Sequence, residues 1–291
     1  MKITQLFDER KITISCELFP PKQGGSLSNA KTVVRDMAKL DPAYISVTYG
    51  AGGTNNKNTL EIANEVQNVN NITALTHLTC VATEKPAIYE ILQSLKEMGI
   101  ENILALRGDL PNDSTQPLSS SFHHASDLMK EIRDFGGFCV GGACYPEGHP
   151  ESKNLSADID GLKAKVENGC DFLTTQMFFD NDIMYNFMFR LLNAGIHIPV
   201  IAGIMPITNI KQIERIFTLS GTALPRRFKM VVDKFADKPE ALKQAGIAYA
   251  TDQIIDLMAN GINHIHIYTM NRPDVAGSII KNLSEIIGLE Y

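Results

Sequence analysis

Short apolar and β-branched runs recur along the chain at residues 13–19, 44–50, 73–81, 102–108, 138–145, 172–178, 200–206 and 264–270. Between them apolar residues fall at helical spacing, as in Val33/Met37/Leu40, Ile62/Val66/Val69, Ile88/Leu92/Leu95 and Ile183/Phe187/Leu191. Strands that alternate with helices are the pattern of βαβ units on a parallel sheet. One junction repeats: Gly99-Ile100, Gly169-Cys170, Gly195-Ile196 and Gly261-Ile262 each follow a predicted helix and precede a predicted strand. A glycine there closes the helix in the left-handed conformation, and the next apolar residue packs back on the last turn. Eight strands in 291 residues predict an α/β fold of the (β/α)8 TIM barrel type rather than a doubly wound sheet. No shift in composition marks a linker, so residues 1–291 read as one catalytic barrel domain. The interval from 206 to 264 is the longest between strands and predicts extra helix.

Strand parity sorts these runs further. Thr13, Ser15 and Glu17 share one face of the first, and Ile14, Cys16 and Leu18 the other. Ser46 and Thr48 oppose Ile45 and Val47, Thr174 and Gln176 share a face of the sixth, and His264, His266 and Tyr268 oppose Ile265 and Ile267. Parallel strands are normally apolar on both faces. A face that is repeatedly polar predicts a polar lumen, whose groups must be satisfied by one another or by a ligand.

Composition narrows the function classes. Lys and Arg number 27 against 33 Asp and Glu, a net charge of −6, which argues against wholesale binding to nucleic acid or an anionic membrane surface. No apolar run reaches the ~20 residues of a membrane helix. The start, Met1-Lys2-Ile3-Thr4-Gln5-Leu6-Phe7-Asp8-Glu9-Arg10, lacks the apolar region of a signal peptide, so a cytoplasmic location is expected. Five cysteines without a C-x-x-C pair argue against a disulfide framework or a structural zinc site.

Barrel enzymes build their sites at the C-terminal ends of strands, and here those ends are chemically dense. Glu17 precedes Leu18-Phe19-Pro20-Pro21, and a partly desolvated carboxyl group at a barrel mouth is a candidate general acid; the alternative is a satisfied structural carboxylate. Arg107-Gly108-Asp109 offers a fixed cation and anion to a ligand, or else an internal ion pair that closes the strand end. A helix over 157–168 puts Asp158, Gly161, Leu162 and Lys165 on one stripe, suited to gripping a polyol and a phosphate or simply to facing solvent. His123-His124 and His264-x-His266 lack a carboxylate or cysteine partner at metal-like spacing, and no metal site is predicted. The glycines at 50–53 are not followed by G-K-[ST], and no G-x-G-x-x-G occurs, so the phosphate loop and the Rossmann device are both absent. Two other classes compete: a barrel lyase using a Schiff-base lysine, although no strand run contains lysine, and a folate or corrinoid methyl-transfer partner without redox chemistry.

Six motifs in order resemble the bacterial 5,10-methylenetetrahydrofolate reductases in their short, catalytic-domain-only form. They are Glu17-Leu18-Phe19-Pro20-Pro21, Ser46-Val47-Thr48-Tyr49-Gly50-Ala51, His77-Leu78-Thr79-Cys80, Leu106-Arg107-Gly108-Asp109-Leu110-Pro111, Tyr145-Pro146-Glu147-x-His149-Pro150-Glu151 and Tyr268-Thr269-x-Asn271-Arg272. The resemblance implies FAD in the barrel, NADH or NADPH as reductant, and methylenetetrahydrofolate as acceptor. It further implies ping-pong hydride transfer through flavin N5, a product that feeds methionine synthesis, and a homo-oligomer. Carried over by position, Glu17 would protonate folate N10 and Asp109 would stabilise the iminium formed on ring opening. Thr48, Ala51, His77, Arg107, Gly108 and Asp109 would contact the flavin. His124, Ala125, Tyr145, His149 and Ser152 would line the adenosine and phosphate path, and Asp158, Gly161 and Lys165 would hold ribose and pyrophosphate. Gln176, Gln212, Tyr268 and Arg272 would border the site shared by nicotinamide and folate. Departures from the family pattern are Asn56-Lys57-Asn58-Thr59 in place of Arg-Asp-Arg-Thr, Ala164 in place of an arginine, and Ile216-Phe217 where some members carry an aromatic over the nicotinamide.

Overall fold

The computed structural model describes residues 1–21, 25–49, 56–109, 118–213, 216, 222 and 224–288. Eight parallel strands close into a barrel in chain order: β1 (Thr13–Leu18), β2 (Ile45–Val47), β3 (Ala74–Thr79), β4 (Asn102–Leu106), β5 (Cys139–Cys144), β6 (Phe172–Thr175), β7 (Val200–Ile204) and β8 (His264–Ile267). This is the predicted (β/α)8 barrel. Each strand falls inside its predicted run, and the runs overshoot because the first loop residues after a strand keep the strand's composition.

Around the barrel lie α2 (Leu27–Ala38), α3 (Asn56–Asn64) continuing into a π-helical turn at Glu65–Val69, α4 (Lys85–Glu97), α5 (Ala125–Phe135), α6 (Leu155–Glu167) and α7 (Asn181–Asn193). The long interval before β8 holds α8 (Arg226–Phe235) and α9 (Pro239–Ala259), and α10 (Pro273–Asn282) and α11 (Ser284–Ile287) follow β8. The four predicted glycine junctions are built alike. Gly99, Gly169, Gly195 and Gly261 have φ of +69°, +96°, +76° and +83°. The next N–H reaches back to the carbonyl five residues earlier, Ile100 to Leu95, Cys170 to Lys165, Ile196 to Leu191 and Ile262 to Leu257, at 2.9–3.0 Å. That bond satisfies a carbonyl the helix leaves open and turns the chain straight into the strand.

The outward faces of the strands, Ile14, Cys16, Leu18, Ile45 and Val47 among them, share one buried cluster with the inner faces of the helices. A second cluster fills the floor of the lumen with Tyr44, Leu75, Leu104, Phe172 and Ile201, and helix α1 (Ile3–Glu9) supplies Ile3 and Leu6 to it from below. Asn102 fixes this plug by accepting from Ile3 N–H at 2.8 Å and donating to Met1 O at 3.0 Å. Phe7 stacks on the His264 ring with centroids 4.1 Å apart. The lower polar positions satisfy each other: Thr13 meets His264 at 3.0 Å, and Ser15 and Ser46 meet the two ring nitrogens of His266 at 2.8 and 3.1 Å. All five cysteines are buried and free.

Candidate active site

Above that floor the lumen opens into a cavity of about 520 Å³ at the C-terminal ends of the strands. Its wall includes seven of the residues singled out from the sequence, Arg107, Gly108, Asp109, Tyr145, His149, Gln176 and Gln212. Phe19, Met177, Met205, Ile216 and Met270 supply an apolar lining, the usual mix for a site that takes a flat organic ligand.

Glu17 shares β1's inward face with Phe19, one layer deeper. It is 7% exposed, and burial pushes its carboxyl group up to about 8, because the low-dielectric surroundings oppose the charged form. The nearest basic atom is His77 Nε2, at 3.9 Å, too long for a hydrogen bond. His77 is itself pushed down to about 4 by burial, and its Nε2 has no hydrogen-bond partner among the described residues. The pair is therefore a neutral acid facing a neutral imidazole. Thr174 Oγ1, inward on β6, is also buried without a partner. Tyr268 donates from its hydroxyl to Thr175 O at 2.6 Å, and its ring lies over Gly203, where a Cβ would come within 2.6 Å of it.

On the cavity wall the structure corrects one expectation. Arg107 pairs with Glu151 through two 2.6 Å contacts rather than with Asp109 as an internal ion pair. Two parallel bonds to one carboxylate match the guanidinium fork, and Asp109 is left at the exposed edge. Gly108 stands between them at φ +90°, and a Cβ there would meet Thr79 Cβ at 3.0 Å. His149 packs edge-on against Tyr145, centroids 4.6 Å apart, and its Nδ1 accepts from Glu151 N–H at 3.1 Å. Gln212 Oε1 accepts from the N–H groups of Thr208 and Asn209 at 2.7 and 3.1 Å, which fixes the loop after β7. Gln176 Oε1 accepts from Met177 N–H at 3.0 Å.

The predicted stripe sits on α6, which begins at Leu155, two residues earlier than expected, because Asn154 caps it by accepting from Ala157 N–H at 2.9 Å. Asp158 accepts from Ser152 Oγ at 3.1 Å, and Lys165 Nζ donates to Ala143 O at 2.6 Å. Burial pushes the Lys165 ammonium down. Gly161 leaves open space beside the stripe. His124 caps α5, Ala125 begins it, and Cys80 Sγ donates to His124 O at 3.7 Å, which ties that helix start to the end of β3. Thr48 follows β2, its carbonyl accepting from Thr59 Oγ1 at 3.1 Å. Arg272 lies apart from the cavity wall, its guanidinium held by Asp274 at 2.9 Å. Ala51, Leu110, Pro111 and Phe217 lie outside the described residues.

Among the eight strands none carries a lysine, which removes the usual position of a barrel Schiff base. Glu151 was legible only as part of a motif, since its partner is 44 residues away. Phe19, Met205 and Met270 continue the inward parity of β1, β7 and β8, a signal present in the sequence, whereas Met177 and Ile216 do not.

Comparison with known proteins bears on this site. The sequence profile of the family described as methylenetetrahydrofolate reductase matches residues 2–284. The chain is 32% identical to the 5,10-methylenetetrahydrofolate reductase of Pectobacterium carotovorum over 94% of this chain and 90% of that one. It is also 32% identical to the Escherichia coli K12 protein of the same name, over 96% and 93%. The Arabidopsis thaliana methylenetetrahydrofolate reductase (NADH) 1 is 34% identical over 98% of this chain, which spans about half of that longer protein. A solved structure of an uncharacterised Clostridium thermocellum protein, described as binding two copies of 5-methyl-5,6,7,8-tetrahydrofolic acid, superposes with a TM-score of 0.68. It covers 97% of this chain and 98% of its own at 15% identity, a likeness of fold.

Proposed function

The chain belongs to the methylenetetrahydrofolate reductase family, and from that premise we propose that its barrel mouth holds FAD and reduces 5,10-methylenetetrahydrofolate to 5-methyltetrahydrofolate with NADH or NADPH. The residues present suit a flavin. The cavity is large enough for a tricyclic ring and has a largely apolar lining. Beneath it the buried Nε2 of His77 and the Oγ1 of Thr174 lack partners among the described residues, as polar groups awaiting a ligand do. When bound, FAD supplies the hydride relay between the nicotinamide and the folate through its N5.

The chain's own residues divide the remaining work. Glu17, kept protonated at neutral pH by burial, gives its proton to N10 of the folate, which lets the five-membered ring open to the N5 iminium. Asp109, at the rim of the same wall, stabilises that cation. Arg107, clamped by Glu151, and Gly108, where the backbone can be approached closely, edge the flavin together with Thr48, Ala51 and His77. Asp158, Gly161 and Lys165 hold ribose and pyrophosphate: a desolvated ammonium bonded to a carbonyl gains from an anion. His124, Ala125, Tyr145, His149 and Ser152 line the adenosine side. Gln176, Gln212, Tyr268 and Arg272 border the space that nicotinamide and folate use in turn, which makes the kinetics ping-pong. The product feeds methionine synthesis, and the protein works as a cytoplasmic homo-oligomer.

The observation that carries this reading is Glu17, buried one layer below the cavity, where desolvation pushes its carboxyl group up to about 8. Its test is a visible spectrum of the purified protein before and after anaerobic NADH. The expected result is a yellow protein that bleaches with NADH and recovers colour on adding methylenetetrahydrofolate. A colourless preparation that gains no flavin on incubation with FAD overturns the proposal.

A further inference from the structure

Two residues of the last sequence motif, Thr269 and Asn271, have no part in the proposed reaction, yet both bind the segment that carries Glu17. Along β1 the backbone groups alternate between its two neighbours. Ile14 O, Cys16 N–H and Leu18 O bond on the β2 side, through Ala43, Tyr44 and Thr48, and Thr13 N–H bonds to Asn263 O on the β8 side. Glu17 O and both backbone groups of Phe19 therefore face β8. The β1–β8 register ends at Cys16↔Ile267, and beyond it side chains take over. Thr269 Oγ1 donates to Glu17 O at 2.6 Å, and the Asn271 amide accepts from Phe19 N–H at 2.8 Å and donates to Phe19 O at 3.0 Å. None of these roles can be exchanged, because a backbone N–H only donates and a carbonyl only accepts. One carboxamide thus reproduces the two bonds that a neighbouring strand would make.

The strand gives way here to a turn. Arg272 N–H closes it on Thr269 O at 3.0 Å, and Met270 and Asn271 at its centre have φ of +52° and +56°, a left-handed pair without glycine that its surroundings must hold in place. The turn puts Met270 on the same cavity wall as Phe19. Pro20 and Pro21 follow Phe19 and carry no N–H, so Phe19 N–H is the last backbone donor before Lys22. We propose that Asn271, with Thr269, is a positioning residue: its amide clamps Phe19, so that the acid two residues earlier and the apolar wall of Phe19 and Met270 are held as one unit. This rests on the reading of Glu17 as the acid. A general acid must stand within about 3 Å of the atom it protonates, and a displacement of about 1 Å costs up to a hundredfold in rate.

Asn271→Gly removes the clamp and suits a φ of +56°, so the turn is kept. Amide exchange of the purified protein should show Phe19 N–H exchanging at least about tenfold faster than in the parent, with Cys16 N–H, held by Tyr44 O, unchanged. Flavin reduction by NADH should stay within about threefold of the parent, and flavin reoxidation by methylenetetrahydrofolate should slow by about 10–100-fold. In a Glu17→Gln background the same substitution should cost the folate step no more than about twofold further, since a residue that acts through the acid loses its effect once the acid is gone. Thr269→Val, which removes the bond to Glu17 O and keeps the side chain's shape, is the second variant and should also slow the folate step alone. Equal losses in both half-reactions, or losses that multiply in the double variant, would mean that the turn shapes the cavity as a whole and overturn the proposal. Unchanged exchange at Phe19 overturns it as well, whatever the rates. If Glu17→Gln alone reduces folate at the parental rate, the acid reading falls and the proposal with it, and the exchange at Phe19 tells that failure from a failure of the clamp.

Discussion

Glu17 Oε2 and His77 Nε2 face each other at 3.9 Å inside the lumen, and burial has pushed each toward its neutral form, the acid up to about 8 and the imidazole down to about 4. The usual ordering, in which a carboxylate gives a neighbouring histidine its charge, is reversed here. Desolvation of both groups outweighs their mutual attraction. The consequence is a carboxylic acid with its proton still in place at the pH of the cell.

The first expectation concerns the acid itself. Glu17→Gln should leave reduction of bound flavin by NADH nearly intact and lower folate reduction by a factor of 10² or more, the usual size of a general acid's contribution. Stopped-flow measurement of the two half-reactions separates them. Equal losses in both would assign Glu17 to cofactor organisation.

The second concerns pH. Because the folded-state value of Glu17 is raised from 4.5 to about 8, its contribution to stability is complete below pH 4.5 and is lost as pH rises through 8. His77 and His266, lowered to about 4 and about 3, work in the opposite direction: their contribution is present above pH 6.5 and is lost as pH falls toward 3. Urea midpoints across pH 5–9 should therefore decline on the alkaline side in the parent and decline less in Glu17→Gln. An identical alkaline slope in the two proteins would disprove the raised value.

The third concerns the Arg107–Glu151 clamp. The pair stands at the cavity rim, half in solvent, so its loss costs little stability, about 0–1 kcal/mol. Its effect should fall on the cofactor instead. In Glu151→Gln the melting temperature should move by no more than a few degrees, while flavin Kd rises about tenfold, equivalent to ~1.4 kcal/mol. Ultrafiltration of the flavin-loaded variant measures this directly, and unchanged retention would remove Glu151 from the site.

The fourth concerns Asp109. Asp109→Asn removes a negative charge from the cavity wall. Folate reduction should slow and the flavin midpoint potential should rise, since reduction adds charge that the carboxylate opposes. A potential equal to the parent's in a spectroelectrochemical titration refutes the electrostatic role.

The fifth concerns close packing. A Cβ on Gly203 would overlap Thr175 O and lie 2.6–2.7 Å from the Tyr268 ring and hydroxyl. One on Gly246 would overlap Ile207 O. Relief at Gly246 requires moving Ile207, in the segment between β7 and Gln212, and relief at Gly203 requires moving Thr175 or Tyr268. Each alanine variant should lose about 1–3 kcal/mol by urea unfolding, and Gly203→Ala should also lose folate turnover as Tyr268 is displaced.

The barrel was legible because its signals are local. A strand of four to six residues announces itself by parity, and a helix-to-strand junction by a glycine followed by an apolar residue, as at Gly99-Ile100 and Gly261-Ile262. The position of Glu17 was legible for the same reason, since parity placed it inward beside the turn at Phe19-Pro20-Pro21. What the sequence did not disclose depends on partners far apart in the chain. The bond of Arg107 to Glu151 rather than to its near neighbour Asp109 needs the loop after β5 to fold over the end of β4. The close approach of Gly246 to Ile207 needs the whole of α9 in place. Parity predicts a polar lumen, and Thr13, Ser15, Ser46, His264 and His266 do satisfy one another, but the floor around them is apolar, and the His77 Nε2 and Thr174 Oγ1 have no partner among the described residues. Parity gives the direction of a side chain and not its neighbour.

The N-terminal plug has a consequence for how the chain assembles. Helix α1 rests on Asn102, Phe172 and His264, and β1 pairs with both β2 and β8. Part of that seat, on β2, β4 and β6, comes from earlier in the chain, and only the contacts with β8 come from near its end. Closure of the ring is a contact of about the longest sequence separation the chain permits, the kind that delays folding most. Ile3, Leu6 and Phe7 gain their full cover, from Leu75, Leu104, Phe172, Ile201 and His264, only when that ring is complete.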